Sequence, residues 1–347
     1  MSNKLYDFTA LDCLARCEAE HGYRYQQHLA RAEPDASAFF GQVVHVGVRN
    51  LFAGTHEPDG LAQAWGDFVA PPKKAHLTLR YAQEIVEMYA EQYGFARDGQ
   101  ECAGAQTLAR PQVPDNIKGQ VAQPSICPDV LRDVGPSLLA VASGSAGTLG
   151  LLAPRAASFD LVLNEHYLEH PERSLCGIVD RVVRSKADGQ LYVMDLKTTG
   201  LYLSQAWFEQ WRHSLQAVIY MDLVEHHYAP FGHSDAAHVA GFWVDAIHVN
   251  RRGYPKPEDF MRVGPFAYSR ELRSELRDVV DALVQRAKEL EEWPGGALKN
   301  PRSCWRYNAL CAFFQFCTLN VQDRADAVKM ALLAGDFVSK PWEPANR

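Results

Sequence analysis

The sequence has no apolar stretch approaching the length of a membrane span. It has no N-terminal hydrophobic run with a basic start, so no secretory leader is expected and the thiols are expected to stay reduced. The expected location is therefore a cytoplasm, that of a bacterium or of a phage-infected host. Internal repeats and low-complexity tracts are also missing. The stretch from Pro136 to Gly150 carries Gly144, Gly147 and Gly150 but lacks the G-K-[ST] ending of a phosphate loop, which excludes an NTPase motor. A basic excess is lacking too: 35 Lys and Arg stand against 42 Asp and Glu, a formal net charge of −7. Phosphate-binding surfaces favour positive charge, so this balance argues against tight binding along a long duplex. What is present is a 347-residue chain, 47% hydrophobic, able to bury a sizeable core as one large or two interleaved units.

The most informative stretch is Gly177-Ile178-Val179-Asp180, followed by Asp195-Leu196-Lys197. Asp180 ends an apolar run from Leu175 to Val179, and Asp195 and Lys197 interrupt a second run beginning at Leu191. Lys186-Ala187-Asp188-Gly189 between them reads as a hairpin turn. Two neighbouring strands therefore bring two carboxylates and an ammonium together. Residues 195 and 197 are two apart, so both point to one face of their strand. Charges on apolar strands are costly unless paired or bound to a metal. A D-x-K triplet alone also occurs as a surface ion pair, but here a second acid lies across the hairpin. Two carboxylates hold a hard cation through oxygen, and a lysine can position or activate a water, as a Mg²⁺-dependent phosphodiesterase requires.

The next stretch reads as a helix from about Ser204 to Glu225. Gln216 and Tyr220 sit one turn apart on it, beside an apolar stripe of Leu215, Ile219 and Leu223. There they can orient a water or touch a phosphate, or they can be the polar edge of a packed helix.

The run from Gly177 to Tyr220 resembles the nuclease core of the PD-(D/E)xK superfamily, specifically its RecB-like branch. That branch carries G-x-x-D, D-x-K-T and Q-x-x-x-Y, which read here as Gly177 to Asp180, Asp195 to Thr198 and Gln216 to Tyr220. The resemblance implies an upstream helical histidine as a further metal ligand, matched by His45 in Phe40-Gly41-Gln42-Val43-Val44-His45. It implies an α/β fold with a restriction-endonuclease-like core, a mixed central β-sheet flanked by helices. It implies hydrolysis of DNA phosphodiesters with Mg²⁺ or Mn²⁺, held by Asp180, Asp195, His45 and the carbonyl of Leu196. Lys197 would steer the water, and Gln216 and Tyr220 would contact the strand or the water. An exonuclease acting on single strands or duplex ends, with a helicase or recombination partner, is the expected setting. The acidic balance suits an enzyme that threads a strand or an end, with positive field supplied by the bound ion. Two other classes stay open: a nucleic-acid-binding or assembly protein on an inactive nuclease fold, and a lysine- and metal-dependent lyase.

Cysteines give a second signal. Of eight, three crowd the C-terminal end at Cys304, Cys311 and Cys317, and a [4Fe–4S] or zinc site needs a fourth. The resemblance extends to iron–sulfur members of the RecB-like group, including AddB-type nucleases, and supplies Cys17 as that fourth ligand. Cys13, one turn earlier, is its rival. Zinc in the same four ligands is the alternative metal, and three thiols buried among aromatic residues is the alternative without one.

Along the chain, residues 1–135 are expected to form a helical N-terminal region carrying Cys17 and His45, 136–292 the nuclease core, and 293–347 the cysteine segment and tail. Helices are expected over 5–30, 36–53, 71–95 and 270–292, with Leu272, Leu276, Val279, Leu283 and Ala287 of the last facing inward. The Pro- and Gly-bearing stretch 97–135 reads as an extended connection or a lid. Strands are expected at Leu161–Leu163 and from Ala240 to Val249, with Glu165 either an exposed charge at the end of the first, the favoured reading, or an extra acid at the site.

Overall fold

Polar side chains cap the major helices and fix where each begins. The computed structural model describes residues 4–33, 35–55, 58–95, 158–229, 238–293, 296–306 and 309–343. The connection expected at 97–135, the stretch 136–150, Cys102 and Cys127 lie outside the described residues.

Asp7 accepts from the Ala10 N–H and opens α1, Phe8–Arg16. A short α2, Glu18–His21, a π-helical turn, Gly22–Gln26, and β1, Leu29–Arg31, follow. The helix expected over 5–30 is thus interrupted: Cys17 is extended between α1 and α2, at φ −164° and ψ 109°. Asp35 accepts from the Ser37 N–H to open α3, Ala36–Phe52. After α4, Pro58–Trp65, the helix expected from residue 71 starts instead at Leu79, because Thr78 caps it; α5 runs Leu79–Tyr93 and stops at the left-handed Gly94, φ 77°.

The central sheet contains β2 (Phe159–His170), β3 (Leu175–Ser185), β4 (Leu191–Thr199), β5 (Val239–His248) and β6 (Phe260–Phe266), side by side in that order. All pairings are antiparallel except β4 with β5. A parallel pair needs a crossover. Here it is α6, Gln205–Glu209, a 3₁₀ turn, Gln210–His213, and α7, Leu215–Tyr228. The single helix expected from Ser204 to Glu225 is broken because Ser214 is extended and caps α7 by accepting from the Ala217 N–H. This is the mixed, helix-flanked sheet that the motifs imply.

Strand periodicity sends alternate side chains to two cores. Val193, Val244 and Ala246 meet α7 and the long α8, Arg270–Glu292. Leu196, Ile247 and Phe260 meet α3 and α5. On α8 Ala287 is buried and Leu276 and Leu283 pack partly buried against the core as expected, joined by Arg273, Val280, Val284 and Leu290, while Val279 is 46% exposed. Residues 216–224 of α7 are all buried, the mark of a central rather than an amphipathic helix.

The C-terminal segment contains the two-residue strands β7 (Trp305–Arg306) and β8 (Ala309–Leu310), then α9 (Phe314–Cys317), α10 (Val321–Leu333) and β9 (Phe337–Ser339). β9 pairs antiparallel with β1 and returns the tail to the N-terminal segment. Tyr23, Leu29, Phe313, Phe316 and Phe337 bury one another at that junction. No helix among the described residues is long and apolar enough to cross a membrane.

Candidate active site

The β3–β4 ladder ends at the pair Arg181–Met194, and the next position would oppose Asp180 to Asp195. There the Leu196 N–H donates to Asp180 Oδ2 at 2.8 Å. Asp195 is 1% exposed. Its Oδ1 accepts from Gln216 Nε2 at 3.0 Å, and its Oδ2 lies 2.6 Å from Lys197 Nζ. Burial pushes the Asp195 carboxyl up to about 7; Lys197 opposes the shift and Asp180 adds to it. Asp195 and Lys197 share the α7 side of β4, where Lys197 Nζ stands 5.6 Å over the Trp211 ring.

α3 delivers His45 from the other side: its Nδ1 is 3.7 Å from Asp180 Oδ2. Burial holds the imidazole below its ordinary pKa against the pull of Asp180, and the Leu196 backbone hydrogen-bonds the ring. A neutral imidazole is the ligand form. One turn before His45, Gly41 lets the helix touch β4: a Cβ there would fall 2.5 Å from Thr198 Oγ1. The glycine of G-x-x-D works in the same way. A Cβ on Gly177 would come within 3.2 Å of the Tyr220 ring. Tyr220 itself is buried, and burial with the two nearby carboxylates raises its pKa, so it stays a phenol.

His45, Asp180, Asp195, Leu196, Lys197, Gln216 and Tyr220 are therefore gathered around the end of the β3–β4 ladder. Three further residues belong to the same cluster. Glu165 lies within β2 at φ 42°, pairs with Arg49 Nη1 at 3.2 Å, and has its pKa raised by burial, with Asp180 adding to the shift. It is not the exposed strand-end charge expected, because β2 runs on to His170. Arg49, one turn after His45, and Trp211 had no sequence signal beyond helical spacing. Arg181, which the sequence sets beside Asp180, is buried and turns away: it stacks 4.5 Å over Phe52 and lies 3.4 Å from Asp245 Oδ2.

By chemistry the donor set suits a hard divalent cation: it offers two carboxylates, a backbone carbonyl and one neutral imidazole. Among the described residues, however, the ligand atoms of His45, Asp180 and Asp195 do not all lie within 4.8 Å of one another. The buried Asp195 Oδ2 has no partner besides the Lys197 ammonium 2.6 Å away.

A separate cavity of about 180 Å³ is lined by Cys17, Cys304, Cys311 and Cys317. Cys13 does not line it; it packs with Ala10 and Tyr25. Burial raises the pKa of Cys311 and of Cys317, and the neighbouring thiols add to each. Among the described residues, no three of the four sulfurs close to within 4.8 Å of one another.

A family model described as the PD-(D/E)XK nuclease superfamily matches residues 8–318. No curated protein matches the chain.

Proposed function

Since the chain belongs to the PD-(D/E)XK nuclease superfamily, whose members use divalent metals, we propose that it is a Mg²⁺- or Mn²⁺-dependent deoxyribonuclease that degrades DNA from ends. The observation that carries this reading is the convergence on one ladder end of Asp180, His45 at 3.7 Å from it, and Asp195 held between Lys197 and Gln216. Asp180, Asp195, His45 and the Leu196 carbonyl would hold the cation. Bound there, a divalent ion supplies polarisation of the phosphoryl oxygen and a lower pKa for the attacking water.

The protein's own groups do the rest. Gln216 fixes the Asp195 carboxylate in place through its amide. Lys197, partly exposed, lies close enough to orient the attacking water and to offset charge building on the phosphate. Tyr220 stays protonated and supports β3 through Gly177. Tyr202, 78% exposed and five residues beyond Lys197, offers a ring for a base of the incoming strand to stack on.

The RecB/AddB-like assignment rests on the motif set together with the thiol cavity. Four cysteines around one cavity fit a [4Fe–4S] cluster better than zinc. Four thiolates about 2.3 Å from one tetrahedral ion stand only about 3.8 Å apart, and the sulfurs here are spread more widely. The cluster would tie α1 and α2 to the C-terminal segment and leave the chemistry to the carboxylate site. A helicase or recombination partner is part of this reading.

End-labelled single- and double-stranded DNA, alongside covalently closed circles, tests the proposal. With Mg²⁺ or Mn²⁺ the linear substrates are shortened and the circles survive. Asp195→Ala or EDTA abolishes this. Cleavage that persists in either condition would remove the metal-dependent assignment, and nicked circles would remove the end requirement.

A further inference from the structure

Away from both of those sites, two imidazoles and a carboxylate meet at the far end of α7. His170 is the last residue of β2, Glu172 lies in the turn Pro171–Arg173, and His226 is in the last turn of α7. One ligand atom from each lies within 4.8 Å of the other two. The two rings stack with centroids 3.9 Å apart and planes 12° from parallel. His170 Nδ1 is buried and has no hydrogen-bond partner.

Hydrogen bonding within the protein does not account for this arrangement. A buried ring nitrogen without a partner is costly, and stacking supplies none. Arg173, the next residue, is a cation that could take the Glu172 carboxylate. Its guanidinium is instead committed to Asp222, Asp281 and the Arg277 carbonyl. Among the described residues Glu172 forms no ion pair and accepts no hydrogen bond. A cation at this point would also sit near the last carbonyls of α7, where the helix field favours positive charge.

We propose that His170, Glu172 and His226 form a second metal site that takes a zinc-class divalent ion. Two imidazoles with one carboxylate are a nitrogen-rich set. Such sets bind Zn²⁺, Ni²⁺ or Co²⁺ in preference to Mg²⁺, which demands oxygen ligands and keeps its waters. Ten residues of helix separate His226 from Gln216, about 15 Å along α7. The ion is therefore not one of the hydrolytic cations. It clips the C-terminal end of α7 to the end of β2 and so steadies the helix that presents Gln216 and Tyr220 to the active site. The site stands whether or not the chain cleaves DNA.

Calorimetric titration with ZnCl₂ in excess Mg²⁺, which keeps the carboxylate site filled, tests the assignment. The wild type, Cys317→Ser, His226→Ala and Glu172→Gln are compared, each with thermal unfolding in parallel. The wild type and Cys317→Ser share one zinc event that raises the unfolding temperature. His226→Ala loses that event, and Glu172→Gln weakens it by at least roughly tenfold. Glu172 is exposed, so Glu172→Gln keeps the metal-free unfolding temperature and decides the matter even where His226→Ala folds poorly. Zinc binding of the same stoichiometry and affinity in Glu172→Gln as in the wild type overturns the site, as does a zinc event that disappears only with Cys317→Ser.

Discussion

The Leu196 N–H donates a 2.8 Å hydrogen bond to Asp180 Oδ2 at the point where the β3–β4 ladder stops. One carboxylate thus closes the strand pair and faces His45. The two duties can be separated. Asp180→Asn keeps an oxygen that accepts from Leu196 but loses the negative charge. It should keep close to wild-type stability, because the Leu196 N–H is not left without an acceptor. Cleavage should fall by more than the roughly 10–100-fold typical of groups that only support a metal ligand. Thermal unfolding and a gel assay check this together. Equal activity with equal stability would take Asp180 out of the metal site.

Gly41 sets how closely α3 approaches the sheet. In an open helix Gly→Ala favours folding by up to about 1 kcal/mol. Here the new Cβ would lie 2.5 Å from Thr198 Oγ1, so the overpacking cost, about 1–3 kcal/mol, should win. Gly41→Ala should lower both the unfolding temperature and, by displacing His45, the activity. Adding Thr198→Ala removes the clashing oxygen and should restore the unfolding temperature. A single variant as stable as the wild type would show that α3 has slack at this contact.

Asp195 sets the pH response. Its carboxyl is raised from 3.8 to about 7, chiefly by burial. The native state therefore holds a proton that the unfolded state has released, and the sign follows from linkage. The stability this group contributes is fully present below pH 3.8 and is lost as pH rises to about 7. In the metal-free protein the unfolding temperature should fall across that window through this group. A cation competes with the proton, so Mg²⁺ or Mn²⁺ should bind more tightly, and stabilise more, at pH 8 than at pH 6. Calorimetry in buffers of different ionisation enthalpy should register proton release at pH 6 that vanishes at pH 8. Asp195→Asn should show neither trend.

The hairpin, the two acids and the lysine were legible because they depend on period-two alternation and a turn with glycine at its left-handed position. Gly189 has φ 71°. His45 was legible only through resemblance, since a histidine on an apolar helix carries no local mark of its partner. The choice between the two readings of Glu165 was not legible, because it depends on β2 continuing to His170 and on Arg49 arriving from α3, both tertiary facts. On α8 the expected stripe missed one inward position for a similar reason. Arg273 turns inward to Glu225 and Asp222, and a pattern of apolar residues cannot show a buried guanidinium. The His170–Glu172–His226 group escaped notice because its members come from a strand end, a turn and a helix end with 53 residues between Glu172 and His226.

Cys13 and Cys17 are one turn apart in sequence, yet the fold gives them opposite surroundings. Cys13 is 1% exposed within α1, and burial pushes its thiol up to about 12, so it remains a neutral, apolar filler. Cys17 sits where the helix breaks and lines the same cavity as Cys304, Cys311 and Cys317. A cluster ligand must be a thiolate, and only the second environment offers neighbours that share a metal's charge. Protein purified without oxygen should be brown, with iron by elemental analysis. Cys17→Ser should be colourless or nearly so, and Cys13→Ser should keep both colour and iron while unfolding at a lower temperature. Loss of the cluster should also loosen the packing of Tyr23 on Phe313 and Phe316. Limited proteolysis should then cut the C-terminal segment before the central sheet. The reverse outcome, colour lost with Cys13 and kept with Cys17, would transfer the fourth ligand to α1 and require that helix to open.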